Sequence, residues 1–148
     1  MAHVLGELIS ADTDNSVHYS KLGKQFTVTK SLFMGYSDSK ELYEKEMHVQ
    51  TKLALLGMAP KVLYFYHDTK NGREYMTWVS EDAGLPLEAV DIPAANAFLD
   101  KLYDMGFEFE FLHEHHFTMG FDGKVKMVDC KHVTQSAGSI DRSKREYL

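Results

Sequence analysis

Cysteine is almost missing from this chain: Cys130 stands alone, so no internal disulfide can form. The opening residues also lack a positively charged segment followed by an apolar one, and the two absences together lead us to expect a reducing, cytoplasmic compartment. No apolar run approaches the ~18 residues of a membrane-spanning helix, so no membrane partner is expected. The 16 lysines and arginines are scattered or set beside acids, and the formal net charge is −6. Such a distribution gives no footing for binding through counterion release, which excludes nucleic acid as the expected partner.

What is present suits one domain. A chain of 148 residues can bury roughly 68–70% of the surface it exposes when unfolded. Its 44% hydrophobic and 26% charged residues are ordinary globular values.

Alternation of apolar and β-branched residues predicts three short antiparallel strands, at Val4 to Ile9, Ser16 to Ser20 and Gln25 to Lys30. Turn-rich connections separate them, forming a meander. From Ser37 the period lengthens: Leu42, Glu46, Val49, Leu53 and Leu56 recur at three- and four-residue steps. Ser37 or Ser39 is placed to cap this helix, and Gly57 followed by Pro60 stops it. Two more strands, Val62 to Tyr66 and Glu74 to Val79, flank Asn71-Gly72, a strong hairpin signal. After an irregular stretch holding Pro86 and Pro93, residues 94–105 predict a second helix with Ala97, Phe98, Leu102 and Met105 on one face. A hairpin over Phe117 to Asp129 follows, and the last residues, polar and without periodicity, are expected to be a loosely held tail.

That order of elements, five antiparallel strands with one helix between the third and fourth, then a linker, a helix and a hairpin ending in Asp, resembles a reduced protein kinase. The motifs fall in the same order. Phe26-Thr27-Val28-Thr29-Lys30 looks like the third-strand motif whose lysine holds nucleotide phosphates, and Glu46 resembles the helix glutamate that pairs with it. Met76-Thr77-Trp78-Val79, followed by Gly84-Leu85-Pro86-Leu87, is similar to the hinge that contacts adenine. Gly123 to Cys130 resembles the strand ending in the metal-binding aspartate, with Asp129 in that place.

The resemblance, to small bacterial effector kinases and virus-encoded kinase-like proteins, implies an α+β fold. Residues 1–79 would form the N-terminal lobe, 80–92 the hinge and linker, 93–133 a strongly reduced C-terminal lobe and 134–148 a tail. It implies ATP and Mg²⁺ as cofactors, with Lys30, Glu46 and Trp78 on the nucleotide side and Asp129 and His116 on the metal side.

The sequence departs from the family in two places. The connection between the first two strands has no glycine and carries Asp12 and Asp14, where phosphate charge would arrive and like charges repel. In the catalytic loop, counting from Gly106, Phe109-Glu110-Phe111 fall on the family's His-Arg-Asp and His116 on its asparagine. The base position is then Phe111, and Glu110 is a neighbouring carboxylate for the role. Leu112-His113-Glu114-His115-His116 invites a zinc reading, but no second His or Cys pair stands at ligand spacing, and a solvated histidine cluster is the simpler expectation.

These losses favour a pseudokinase that binds or inhibits a protein partner, in the cytoplasm of a host cell if the chain is an effector or viral protein. The alternative is a minimal ATP-dependent phosphotransferase in which Asp129 holds metal and Glu110 orients the acceptor. A second alternative is an unrelated α+β adaptor.

Overall fold

A computed structural model describes residues 2–11 and 14–148, so Asp12 lies outside the described residues. The protein is α+β, built on a five-stranded antiparallel sheet and two helices. The meander is present with longer strands than the alternation predicts: β1 at His3–Ala11, β2 at Asn15–Leu22 and β3 at Gln25–Phe33. Helix α1, Ser39–Leu55, leads to β4, Val62–Lys70, and β5, Arg73–Glu81. The strand order is β1-β2-β3-β5-β4, which leaves β1 and β4 on the edges. At the β4–β5 turn Asn71 and Gly72 take φ of 52° and 75°, the left-handed pair that lets two residues reverse the chain without splaying the strands.

Helix α1 starts otherwise than expected. Asp38 is the N-cap and makes no side-chain cap bond, while the Ser39 hydroxyl accepts the Tyr36 N–H at 3.1 Å. Its end follows the sequence signal. Gly57, at φ 72°, lets its N–H reach the Ala54 carbonyl, and the Met58 N–H reaches that of Leu53, satisfying two terminal acceptors. The buried face is Tyr43, Glu46, Val49, Gln50 and Leu53, whereas Leu42 and Leu56, expected inside, are exposed. Glu46, Val49 and Leu53 lie inside as the spacing predicts, and the polar Gln50, which a count of apolar spacing passes over, joins them.

Beyond the sheet, a two-residue strand β6, Leu85–Pro86, joins β8, Phe117–Met119, and β9, Val125–Met127, in a small sheet ordered β6-β8-β9. Helix α2, Ile92–Asp104, carries Pro93 in its first turn, where a missing N–H costs no helical bond. It buries Ala95, Phe98, Leu99, Leu102 and Tyr103, leaving Ala97 outside. Strand β7, Phe107–Phe109, pairs with β10, Val133–Gln135.

The residues after β10 are not loose. Ile140 joins the α2 core, Arg145 reaches Asp100 at 3.1 Å and Asp104 at 2.8 Å, and the Leu148 N–H donates to Asn96 at 2.8 Å. Specific side-chain bonds hold this segment, which is why no periodicity announces it. Among the described residues no helix is long and apolar enough to cross a membrane.

Two buried clusters result. The larger surrounds α2 with Leu53, Phe117, Met127 and Val133; the smaller, Leu32, Tyr43, Met76 and Trp78, sits between the sheet and α1. β1 contributes little to either, since Val4 to Ala11 are all exposed.

Between β5 and β6, Gly84 has φ of 111°, and a Cβ there would stand 2.0 Å from the Met119 carbonyl oxygen. Gly84→Ala therefore costs more than about 2 kcal/mol from backbone strain and overlap combined, read as a lowered midpoint in urea denaturation.

Candidate functional site

A cavity of about 510 Å³ opens where the sheet faces the β6-β8-β9 side, within the usual range for small-molecule sites. Its walls come from Ile9 and Ser10 at the end of β1, Val17, Val28, Lys30 and Trp78 from the sheet, residues 80–84, and Phe117, Val128 and Asp129. The lining is mainly apolar, but Ser80, Glu81, Asp82 and Gln50 also contribute to it, and Lys30 and Asp129 stand together in its wall.

Register places Lys30. It pairs with Trp78 across β3 and β5, and both side chains leave the sheet face that α1 covers. The Lys30 Nζ lies 3.0 Å from Glu46 Oε2 and 5.4 Å from the Trp78 ring centroid. Glu46 is only 3% exposed and Lys30 13%, so the pair is largely shielded from water. Burial works against the lysine charge, but the carboxylates of Glu46 and Asp129 outweigh it and hold the Lys30 pKa well above its ordinary value. Lys30 also donates to the Val128 carbonyl at 3.4 Å, tying the sheet to the segment that carries Asp129.

Asp129 follows β9, and the Lys131 N–H donates to its Oδ1 at 3.0 Å. Burial pushes its pKa up, yet Lys30 and this N–H more than compensate and leave it lowered. His116, just before β8, faces it: Nε2 stands 3.9 Å from Asp129 Oδ2, and the His116 carbonyl accepts the Val128 N–H at 2.8 Å. Burial, opposed by Asp129 and helped by His115, His132 and His113, keeps the His116 ring below its ordinary pKa of 6.5. Cys130 is buried behind the site, and burial pushes its thiol pKa up, so it packs as an apolar side chain.

Lys30, Glu46, Trp78, Asp129 and His116 are thus brought together. Glu110 is not among the cavity's lining residues: it is exposed after β7, with its N–H donating to the His132 carbonyl at 2.9 Å. Phe111 next to it is exposed and takes φ of 58°, an uncommon conformation for an aromatic residue, with its ring 5.5 Å from that of His132. Asp14 is also absent from the lining; it accepts from Arg73 at 3.1 Å and from the Tyr36 hydroxyl at 2.7 Å.

Two contributors carried no sequence signal. Gln50, buried in α1, donates to the Pro60 carbonyl and the Ser80 hydroxyl and closes the back of the cavity. His132 stands with its ring centroid 6.5 Å from that of His116, making one cluster with His113 and His115. Among the described residues no three metal-ligating side chains form a ready cage.

Comparison with known proteins finds no family model that matches this chain, and no curated protein matches it.

Two expectations follow from the geometry. Lys30→Met leaves a buried carboxylate unpaired and costs about 3 kcal/mol, and adding Glu46→Leu recovers part of that loss. Strict additivity in the double-mutant cycle would contradict a coupled pair. The second concerns pH. Because the folded state lowers the His116 pKa, the unfolded chain takes up its proton first, so stability is full above about 6.5 and falls as pH drops toward the folded value. Metal-free His116→Asn should show a shallower decline in thermal midpoint between about pH 6.5 and 5 than the parent.

Proposed function

We propose that this chain is a kinase-shaped nucleotide-binding protein without phosphoryl-transfer machinery, a pseudokinase that presents its surface to a protein partner. The observation that carries the reading is that Lys30, held by the buried Glu46 behind it, and Asp129 stand together in the wall of a 510 Å³ cavity. An adenine-sized ring suits the apolar end between Val28, Trp78 and the backbone of residues 80–84, and phosphates suit the end where Lys30 stands.

Lys30 is held charged and in place by Glu46, so its ammonium is positioned in advance for an anion. Asp129 is ionised and partly open to the cavity, fit to hold a divalent cation with His116 beside it. Such a cation would neutralise phosphate charge. Of the two acids that would oppose phosphate, Asp14 is engaged by Arg73 and Tyr36, while Asp12 lies outside the described residues.

Transfer is another matter. A base must come within hydrogen-bond reach of the acceptor hydroxyl, and Phe111 occupies the position where the family resemblance puts it, while Glu110 does not line the cavity. Binding without turnover is the function that this combination supports best.

The test is the thermal midpoint with and without millimolar ATP and a divalent cation. Binding to the native state alone raises stability by about 2.7 kcal/mol at a hundredfold excess over Kd, a rise of several degrees for a domain of this size. The rise should vanish in Asp129→Ala and Lys30→Met, each compared with its own ligand-free midpoint, and labelled ATP should transfer no phosphate to the chain or to a general protein acceptor. No shift with ATP would remove the nucleotide reading and leave an α+β protein-binding module. Transfer dependent on Lys30 and Asp129 would make it an enzyme.

A further inference from the structure

Helix α1 is tied to the sheet twice through buried polar groups, and the two ties differ in kind. Glu46 and Gln50 lie one helical turn apart on its buried face, the first bonded to Lys30 and the second to Ser80. Gln50 Nε2 donates to the Pro60 carbonyl at 3.0 Å and to the Ser80 hydroxyl at 3.1 Å. A carbonyl can only accept, so the Pro60 contact fixes which end of the amide is nitrogen. Ser80 is then the acceptor of the pair, and its own proton is left to donate elsewhere.

Both residues are almost shut off from bulk water, Gln50 at 2% exposure and Ser80 at 6%, and both line the cavity. The protein does not use either of them fully. Among the described residues no acceptor takes the Ser80 proton and no donor reaches Gln50 Oε1. Every described side-chain oxygen cut off from open space has a partner, so Oε1 still meets such space, and the space beside it is the cavity. One donor and one acceptor on neighbouring side chains thus face a ligand.

Register sets them at the edge of a bound ring. Ser80 pairs with Val28 across β3 and β5, two residues from the pairing of Lys30 with Trp78, so all four side chains leave the same face of the sheet. A ring lying against Val28 and Trp78 has Ser80 beside it. Backbone groups that could read the same edge are already engaged: the Glu81 N–H donates to the Lys61 carbonyl at 3.0 Å, the Gly84 N–H to Asp82 Oδ1 at 3.2 Å, and the Ala83 carbonyl accepts the Thr118 hydroxyl at 2.8 Å.

Resting on the nucleotide reading above, we infer that Ser80 and Gln50 select the base: the Ser80 hydroxyl donates to adenine N1, and Gln50 Oε1 accepts from the adjacent amino group. A base lacking either partner leaves a buried polar group unpaired, and the loss appears in affinity.

Calorimetry at one saturating concentration of the same divalent cation tests this with four nucleotides. They are ATP, 1-deaza-ATP, which lacks the N1 acceptor, purine riboside triphosphate, which lacks the amino group, and inosine triphosphate, which carries the two roles in reverse order. ATP should bind at least about tenfold more tightly than each of the others. Ser80→Ala should bring the ratio of ATP to 1-deaza-ATP close to one and keep the preference over purine riboside triphosphate. Gln50→Met should do the reverse, whereas a merely structural role would weaken all four ligands alike. Equal binding of the analogues by the parent protein, ratios that survive the substitutions, or tighter binding of inosine triphosphate overturns the inference and leaves the nucleotide reading in place. Absence of binding by all four overturns both. If circular dichroism shows either variant unfolded, Ser80→Cys and Gln50→Leu carry the same comparisons.

Discussion

The buried pair of Lys30 and Glu46 is the constraint on which the rest of the site depends. Each residue is costly to bury alone, and each is tolerable because the other stands 3.0 Å away. The pair ties β3 to α1, and through the Val128 carbonyl it reaches the segment beneath the sheet. The Lys30 ammonium lies over the Trp78 ring, and Asp129 adds a second negative charge on the cavity side. A hydrophobic pair of the same volume would hold the helix to the sheet equally well. Retaining charge there leaves a cation in the wall of the cavity.

Much of the sheet was legible because its signals are local. Alternation in Gln25 to Lys30 and Glu74 to Val79, and the Asn71-Gly72 turn, need no knowledge of the rest of the chain. The hairpin of β8 and β9 was legible as well, but β6, β7 and β10 were not, because three residues such as Phe107–Phe109 become a strand only when Val133–Gln135 arrives to pair with them. The inward face of α1 was legible at Glu46, Val49 and Leu53 but not at Gln50, which is buried by polar partners that apolar spacing ignores. The segment 134–148 was read as loose for the same reason, although Thr134 and Gln135 belong to β10. Its anchors are Arg145 and Leu148, each held by a partner on α2 that lies far away in sequence.

The candidate site divides in the same way. Lys30, Glu46 and Asp129 stood out by their order along the chain. Spacing along the chain offers no second histidine pair, yet folding sets His132 beside His116, near the loop in which Phe111 adopts a left-handed backbone. No count of residues between histidines anticipates that turn.

Strand β1 bears on the same cavity from the other side. It supplies Ile9 and Ser10 to the wall, one of its edges has no neighbouring strand, and Val4 to Ala11 bury little surface. Detaching such a strand costs far less than unfolding the molecule, so this wall has a local opening equilibrium of its own. Amide hydrogens along His3–Ala11 accordingly exchange ahead of those in β3 and β5. A ligand seated against Ile9 would slow that exchange without touching the core, so the dynamics of the first strand would report on whether the cavity is filled.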